Sequence, residues 1–284
     1  MENKMSKSFI GKIKENKKYS SISDDIVKKE IENYMRKFQI DSEDIYDDKF
    51  AIKIIRKELH RLYSSYQTKG KKKRDSLLKD IDILQNKNAP ESEVLEVINA
   101  LLKITLSTIE RLPHYEKLYK DIFKITGKPK SITDLGCGLN PLSFPLMRLS
   151  KSTEYHSYDI DTEDIKFLNK FFKTLKINGK AEILDVRELE DLRDLPKTDI
   201  IFMFKLYDLI VPKAKKLKKL GEEIINILKE KANYLVVSFA TKTLTRRSMK
   251  LPRRIGFEMM LDRNQLKYEL IETDNEIYYV IRKS

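Results

Sequence analysis

"SITDLGCGLNP", residues 131–141, is the stretch on which the reading of this chain turns. A short apolar run ends in Asp134 and is followed by Gly136, Cys137, Gly138 and then Pro141. Three readings compete at first: a cofactor loop, a thiol or metal site, and a plain tight turn. A strand that stops at an acid, turns on glycines and re-enters a helix after Pro141 sets backbone N–H groups at the carboxyl edge of a sheet, where open α/β sheets bind ligands. Gly136 and Gly138 allow a ligand closer than a side chain would. The dinucleotide fingerprint calls for a third glycine at 141, where this chain has proline. An acid two residues ahead of the first glycine suits a ligand with a positive amino group, such as S-adenosylmethionine.

Working outward, short apolar runs alternate with amphipathic segments after Gly127, the pattern of a doubly wound sheet. Strands are expected near 130–135, 154–159, 181–185, 199–204, 233–239, 267–273 and 276–282. "TDNE" (273–276) is too short for a crossover helix, so the last two strands must be antiparallel. Five parallel strands closed by a hairpin match the Rossmann-like class I methyltransferase sheet. Upstream, "SDDIVKKEIENYMRKF" (23–38) spaces its apolar residues by three and four, and further helices are expected at 43–66, 73–86, 91–109 and 113–125. The fold class is therefore α/β with an all-helical N-terminal domain, 1–126, ahead of a cofactor-binding domain, 127–284.

Asp159, in "YHSYDID", lies 23 residues beyond Gly136 at the end of the second strand, where a carboxylate can accept from both ribose hydroxyls. Asp185, closing "AEILDV", is placed to face the adenine. Either acid alone could cap a helix; at the ends of three consecutive strands, with Asp134, they favour a nucleoside, and Ile160 and Val186 beside them join the expected cofactor-binding set. Nothing basic in sequence adjoins Cys137 to lower its pKa, so it reads as a small packing residue within the cofactor loop.

Composition narrows the partners. One cysteine and three histidines leave no disulfide framework and little material for a metal site. No run of about 18 apolar residues suggests a membrane span, and "MENKMSKSFI" lacks a signal-peptide core. A cytoplasmic, monomeric protein without metal is expected. Residues 205–254 carry fourteen Lys or Arg against four Asp or Glu, which is +10 of the net +13, so the positive charge is concentrated. Such a surface suits a polyanion, because each cation brought to a phosphate releases condensed counterions. The expected RNA-facing cations are Lys71, Lys72, Lys73 and Arg74 in one connector, Lys215, Lys216 and Lys219 in the run from 211, and Lys242, Arg246, Arg247, Arg253 and Arg254 after the fifth strand. A solvated, lysine-rich face is the other reading of each group.

The blocks "TIERLPHYEKLYKDIF" (108–123), "DLGCGLNPLSF" (134–144), "YHSYDID" (155–161), "LDV" (184–186), "FKLYDLI" (204–210) and "VVSFATKTL" (236–244) resemble the aminoglycoside-resistance 16S rRNA (guanine-N7) methyltransferases over about half the chain. The resemblance implies S-adenosyl-L-methionine as cofactor, the small ribosomal subunit as partner and an N-terminal helical domain that docks on it. It places Arg111 against the cofactor carboxylate, a task a guanidinium suits because it grips bidentately. It places Lys205 near the transferred methyl group, and Ser238 and Phe239 at the edge where the target base enters, so Lys205, Ser238 and Phe239 form the expected catalytic set. A surface arginine and a strand-end lysine are the alternatives for Arg111 and Lys205. "FKLY" stands where amino-methylating enzymes carry an Asn/Asp-Pro-Pro-aromatic motif. After the fifth strand the family's glycine-rich stretch is replaced by "TKTLTRRSMKLPRRIGFEMM". An enzyme acting on 16S rRNA is expected; one acting on tRNA or another RNA, and a non-catalytic assembly factor, are the alternatives.

Overall fold

The computed structural model describes residues 2–40, 45, 48–62, 73–211, 218–242 and 252–283. Two compact units emerge, one of residues 1–67 with 160–163 and the other of 68–159 with 164–284.

The first unit contains helices α1 (Glu2–Lys14), α2 (Asp24–Phe38) and α3 (Lys49–Leu62). In α2 the apolar positions Ile26, Val27, Ile31 and Tyr34 turn inward, Asp24 and Asp25 sit in the positive first turn, and Gln39 ends the helix in the left-handed region at φ 54°. Phe9, Ile13, Ile22, Val27, Ile55 and Leu59 build a core belonging to this unit. Ser23 N–H donates to Ile160 O (3.0 Å), Thr162 N–H donates to Ser21 O (2.8 Å), and Ile22 bridges Asp161, which accounts for 160–163 belonging here.

The second unit begins with α4 (Arg74–Asn86), α5 (Glu91–Leu102), α6 (Leu106–Arg111) and α7 (Tyr115–Thr126). The change from helices to strands does fall after residue 126, but these four helices share a core with the sheet, so the compact boundary lies at 67/68. The single helix expected over 91–109 is broken at Lys103–Thr105. There Thr108 Oγ1 donates to Leu102 O (2.5 Å) and Thr105 O (3.0 Å), and these local bonds compete with the continuing helical ladder. The break lets α6 turn Arg111 into the interior, 2% exposed.

The seven strands are β1 (Ser131–Leu135), β2 (Glu154–Asp159), β3 (Gly179–Ile183), β4 (Thr198–Phe204), β5 (Ala232–Ala240), β6 (Lys267–Glu272) and β7 (Glu276–Arg282), in the order β3-β2-β1-β4-β5-β7-β6. The first five are parallel, and β7 runs antiparallel between β5 and β6. All seven lie within a few residues of their expected positions, and the terminal hairpin is antiparallel as expected. The order reverses between β1 and β4, so the carboxyl ends of these two strands open a crevice. Between the strands run α8 (Thr162–Leu175), α9 (Leu189–Arg193), α10 (Tyr207–Ile210), α11 (Lys218–Lys231) and α12 (Ile255–Arg263). One apolar layer packs Ile132, Phe202, Val236 and Tyr278 against α4, α5, α7 and α8; another packs Leu135, Met203, Val237 and Tyr279 against α11 and α12.

The helix expected after Pro141 is a 3-10 helix, Asn140–Met147. Pro145 inside it has no N–H to donate, so a regular α-helix cannot continue there. Among the described residues, no helix is long and apolar enough to cross a membrane.

Candidate functional site

The site is built on the carboxyl ends of β1, β2, β4 and β5. Because β7 is antiparallel, its first residue, Glu276, falls on the same edge, paired in register with Ala240.

The loop after β1 is held by its own polar groups. Asp134 is 1% exposed and its Oδ2 accepts from Asn140 Nδ2 (2.9 Å) and Tyr155 OH (2.8 Å). Burial pushes its carboxyl up to about 6, against the opposing pull of those hydrogen bonds and of Arg111. Gly136 and Gly138 lie at φ 59° and 48°, the left-handed region that favours glycine. A Cβ on Gly136 would come 2.7 Å from Leu206 Cδ1, because the loops after the neighbouring strands β1 and β4 pack directly together. A Cβ on Gly138 would meet nothing within 4 Å, so this backbone faces open space. Gly138 N–H donates to Asp159 Oδ2 (2.8 Å), fixing the acid at the end of β2. Cys137 is 4% exposed and burial, then the nearby carboxylates, push its thiol well above the usual range, which agrees with a packing role.

A buried charge network adjoins this loop. Arg111 Nε and Nη2 grip Glu276 at 2.9 Å each, and the guanidinium stacks over Phe204 with 4.9 Å to the ring centre. Its Nη1 points toward Asn140 Oδ1 at 3.5 Å, and Tyr115 OH donates to the same oxygen (3.0 Å). Glu276 is fully buried, accepts from Ser238 Oγ, and lies 3.3 Å from Lys205 Nζ. Burial alone would raise its carboxyl; Arg111 and Lys205 outweigh that and hold it below the usual range. Lys205, 6% exposed, also pairs with Glu110 (2.5 Å). Its backbone is left-handed at φ 54°, and its N–H is held by Ser238 Oγ (3.0 Å) just past the β4–β5 ladder.

Arg111, Asp134, Gly136, Gly138, Asp159, Lys205 and Ser238 thus gather on one edge of the sheet. Asp185 is near it but already engaged: its carboxylate binds the guanidinium of Arg187 through Nε (2.9 Å) and Nη2 (2.5 Å). Val186 is buried in the apolar layer under α11, and Ile160 packs against the core of the first unit. Phe239 departs from its expected place beside the target base. Alternation along β5 turns it to the face opposite Ser238, where it is 1% exposed and packs edge-on to Tyr207, Phe257 and Tyr279.

The expected RNA-facing cations divide. Lys71, Lys72, Lys215, Lys216, Arg246 and Arg247 lie outside the described residues. Lys73 and Lys219 are exposed and Lys242 is half-buried. Arg253 pairs with Glu258 (2.7 Å), and Arg254 pairs with Asp208 (3.1 Å) while donating to Ala240 O (2.9 Å). Arg74 is a correction: at 7% exposed it is a core cation, paired with Asp164 at 2.6 Å and stacked over Phe167 at 5.0 Å. Its flanking lysines make the connector look uniformly solvated in sequence.

Glu276, Glu110, Asn140 and Tyr155 escaped the sequence reading. For Glu276 the sequence shows only that the last two strands are antiparallel to each other; the strand order, with β7 beside β5, is what brings its carboxylate to the edge where the parallel strands end.

The open face of Gly138, the acid Asp159 bound to its backbone, buried Asp134 and the Nη1 of Arg111 form donors and acceptors suited to an amino-acid-bearing nucleoside. Comparison with known proteins agrees with that chemistry. A 16S rRNA (guanine(1405)-N(7))-methyltransferase of Micromonospora echinospora is 30% identical over 235 residues, 82% of each chain. One of Proteus mirabilis with the same name is 30% identical, covering 84% of this chain and 86% of the relative. Among solved structures, the 16S rRNA methyltransferase RmtF, in complex with S-adenosyl-L-homocysteine, superimposes over 98% of both chains with a TM-score of 0.77 at 20% identity, a likeness of fold. The 16S rRNA methylase ArmA, 27% identical, gives 0.52 over 74% of this chain and 97% of its own. The profile of the family described as "Ribosomal RNA methyltransferase (FmrO)" matches residues 16–280, nearly the whole length. The chain belongs to the FmrO family of ribosomal RNA methyltransferases.

Proposed function

We propose that this protein transfers the methyl group of S-adenosyl-L-methionine to N7 of a guanine in 16S rRNA of the small ribosomal subunit, the guanine at 1405 named for its relatives. The observation that carries the reading is the compensated charge at the strand ends, where Lys205 is matched by Glu110 and Glu276. An uncompensated lysine would repel a sulfonium; held between two carboxylates, it leaves the edge near neutral.

The bound cofactor supplies a methyl group on a cationic sulfur. Arg111, oriented by Glu276, offers Nη1 to its carboxylate, and Asp134 accepts its ammonium. Asp159, fixed by the Gly138 N–H, takes the ribose hydroxyls. Arg187, held by Asp185, borders the adenine side. Guanine N7 has a free lone pair, so no side chain has to remove a proton before attack. The protein's part is then positioning and electrostatics, consistent with a site whose acids and bases are paired with one another.

The test is methyl transfer from labelled cofactor to 30S subunits, free 16S rRNA and tRNA, with mapping of the modified base and Asp159→Ala as control. N7-methylguanine in 16S rRNA, lost at least a hundredfold in Asp159→Ala, is expected. A product on tRNA alone, or at an exocyclic amine, refutes the proposal.

A further inference from the structure

A cleft of about 1190 Å³ in the second unit lies away from the site above. Arg148 and Lys151 immediately precede β2, and Lys173 and Lys176 immediately precede β3. Both strands are parallel to β1, so this cleft opens at their amino ends, roughly 20 Å from Asp159 at about 3.3 Å per residue.

Its two walls differ in charge. On the wall made by the 3-10 helix, α8 and their following turns stand Arg148, Lys151, Lys170, Lys173 and Lys176, with no acid among them. All five are exposed. The facing wall, from α4 and α5, carries the acids Asp75, Asp82 and Glu91, one cation, Lys79, and the neutral amides Gln85, Asn86 and Asn88. Two of its acids are neutralised across the cleft, Glu91 by Arg148 (2.8 Å) and Asp75 by Lys170 (3.2 Å). Half-buried Val94, Leu95 and Leu149 form an apolar floor. Arg148 and Lys176 hold left-handed backbones, φ 53° and 55°, and so end the 3-10 helix and α8 at the rim of the cleft.

We propose that this cleft binds a single-stranded segment of the RNA substrate. Phosphates lie along Lys151, Lys173 and Lys176, and unstacked bases lie on the apolar floor with their edges toward Asn86 and Asn88. A cationic wall opposite neutral amides fits a nucleotide chain, in which charge and hydrogen-bonding edges lie on opposite sides. An acidic peptide would match the lysines but leave the amides without a role. The inference rests on RNA being the substrate and adds a second grip, away from the methyl-transfer edge.

The full-length protein and the variant Lys151→Gln/Lys173→Gln/Lys176→Gln are compared for binding to 16S rRNA and to a single-stranded fragment of it over a series of salt concentrations. S-adenosylmethionine binding and the thermal midpoint serve as checks on folding. The expected result is at least tenfold weaker RNA binding at low salt and a slope of log K against log salt flatter by about 2, from roughly 0.7 per lost single-strand phosphate contact. Equal affinity and slope overturn the cleft, and so does weaker binding with an unchanged slope, which would signal a packing effect. If the wild type binds RNA but transfers no methyl group, the proposed activity fails while the slope comparison still decides the cleft.

Discussion

Asp134 sets the demands of a ligand against those of the fold. Buried at the end of β1, its carboxyl rises to about 6 from an ordinary 3.8. Between those values the folded chain holds a proton that the unfolded chain has released, so this contribution to stability is full below pH 3.8 and is lost as pH rises through about 6. Asp134→Asn removes that loss, and because one oxygen accepts both bonds, an amide oxygen can accept them too. Its melting temperature relative to wild type should climb between pH 4 and 7, by the equivalent of about 2–3 kcal/mol, while S-adenosylmethionine binding falls at least tenfold. A stability difference that stays flat with pH contradicts this account. The residue also shows what sequence reveals: an acid before two glycines is legible as a ligand group because spacing alone places it. Glu276 is not, because "TDNE" reads as a solvated turn until the strand order is known. Arg74 misleads for a related reason, since its partner Asp164 is 90 residues away.

At the scale of elements, the two glycines after β1 do different work. Gly136 is required both by its left-handed backbone and by Leu206, 2.7 Å from the Cβ it lacks; Gly138 is required by its backbone alone. Gly136→Ala should destabilise by about 2–4 kcal/mol and Gly138→Ala by about 1 kcal/mol, read from urea unfolding. Equal losses would mean that the packing of the two loops is immaterial. The central strands β4 and β5 were legible because parallel strands buried on both faces appear as near-continuous apolar runs. The interruption before α6 and the 3-10 helix were not: one depends on Thr105 and Thr108 bonding to nearby carbonyls, the other on where a second proline falls, and neither alters the apolar pattern.

For the molecule as a whole, the core of α1–α3 is separate from the two layers around the sheet. Separate cores permit separate cooperative transitions. Calorimetry should resolve two, and S-adenosylmethionine should raise only the one belonging to the sheet, by about 2.7 kcal/mol at a hundredfold excess over Kd. A single transition shifted as one would show that the two units unfold together. Composition marks the change from helices to strands after 126, whereas the compact units divide at 67/68, because α4–α7 pack on the sheet. The chain's single cysteine gives the molecule one more property. Cys137 is covered by the loop that would hold the cofactor and its thiol is kept protonated. It is therefore a built-in clock: the rate at which an alkylating reagent reaches it in the native protein counts the openings of that loop, without any label being introduced.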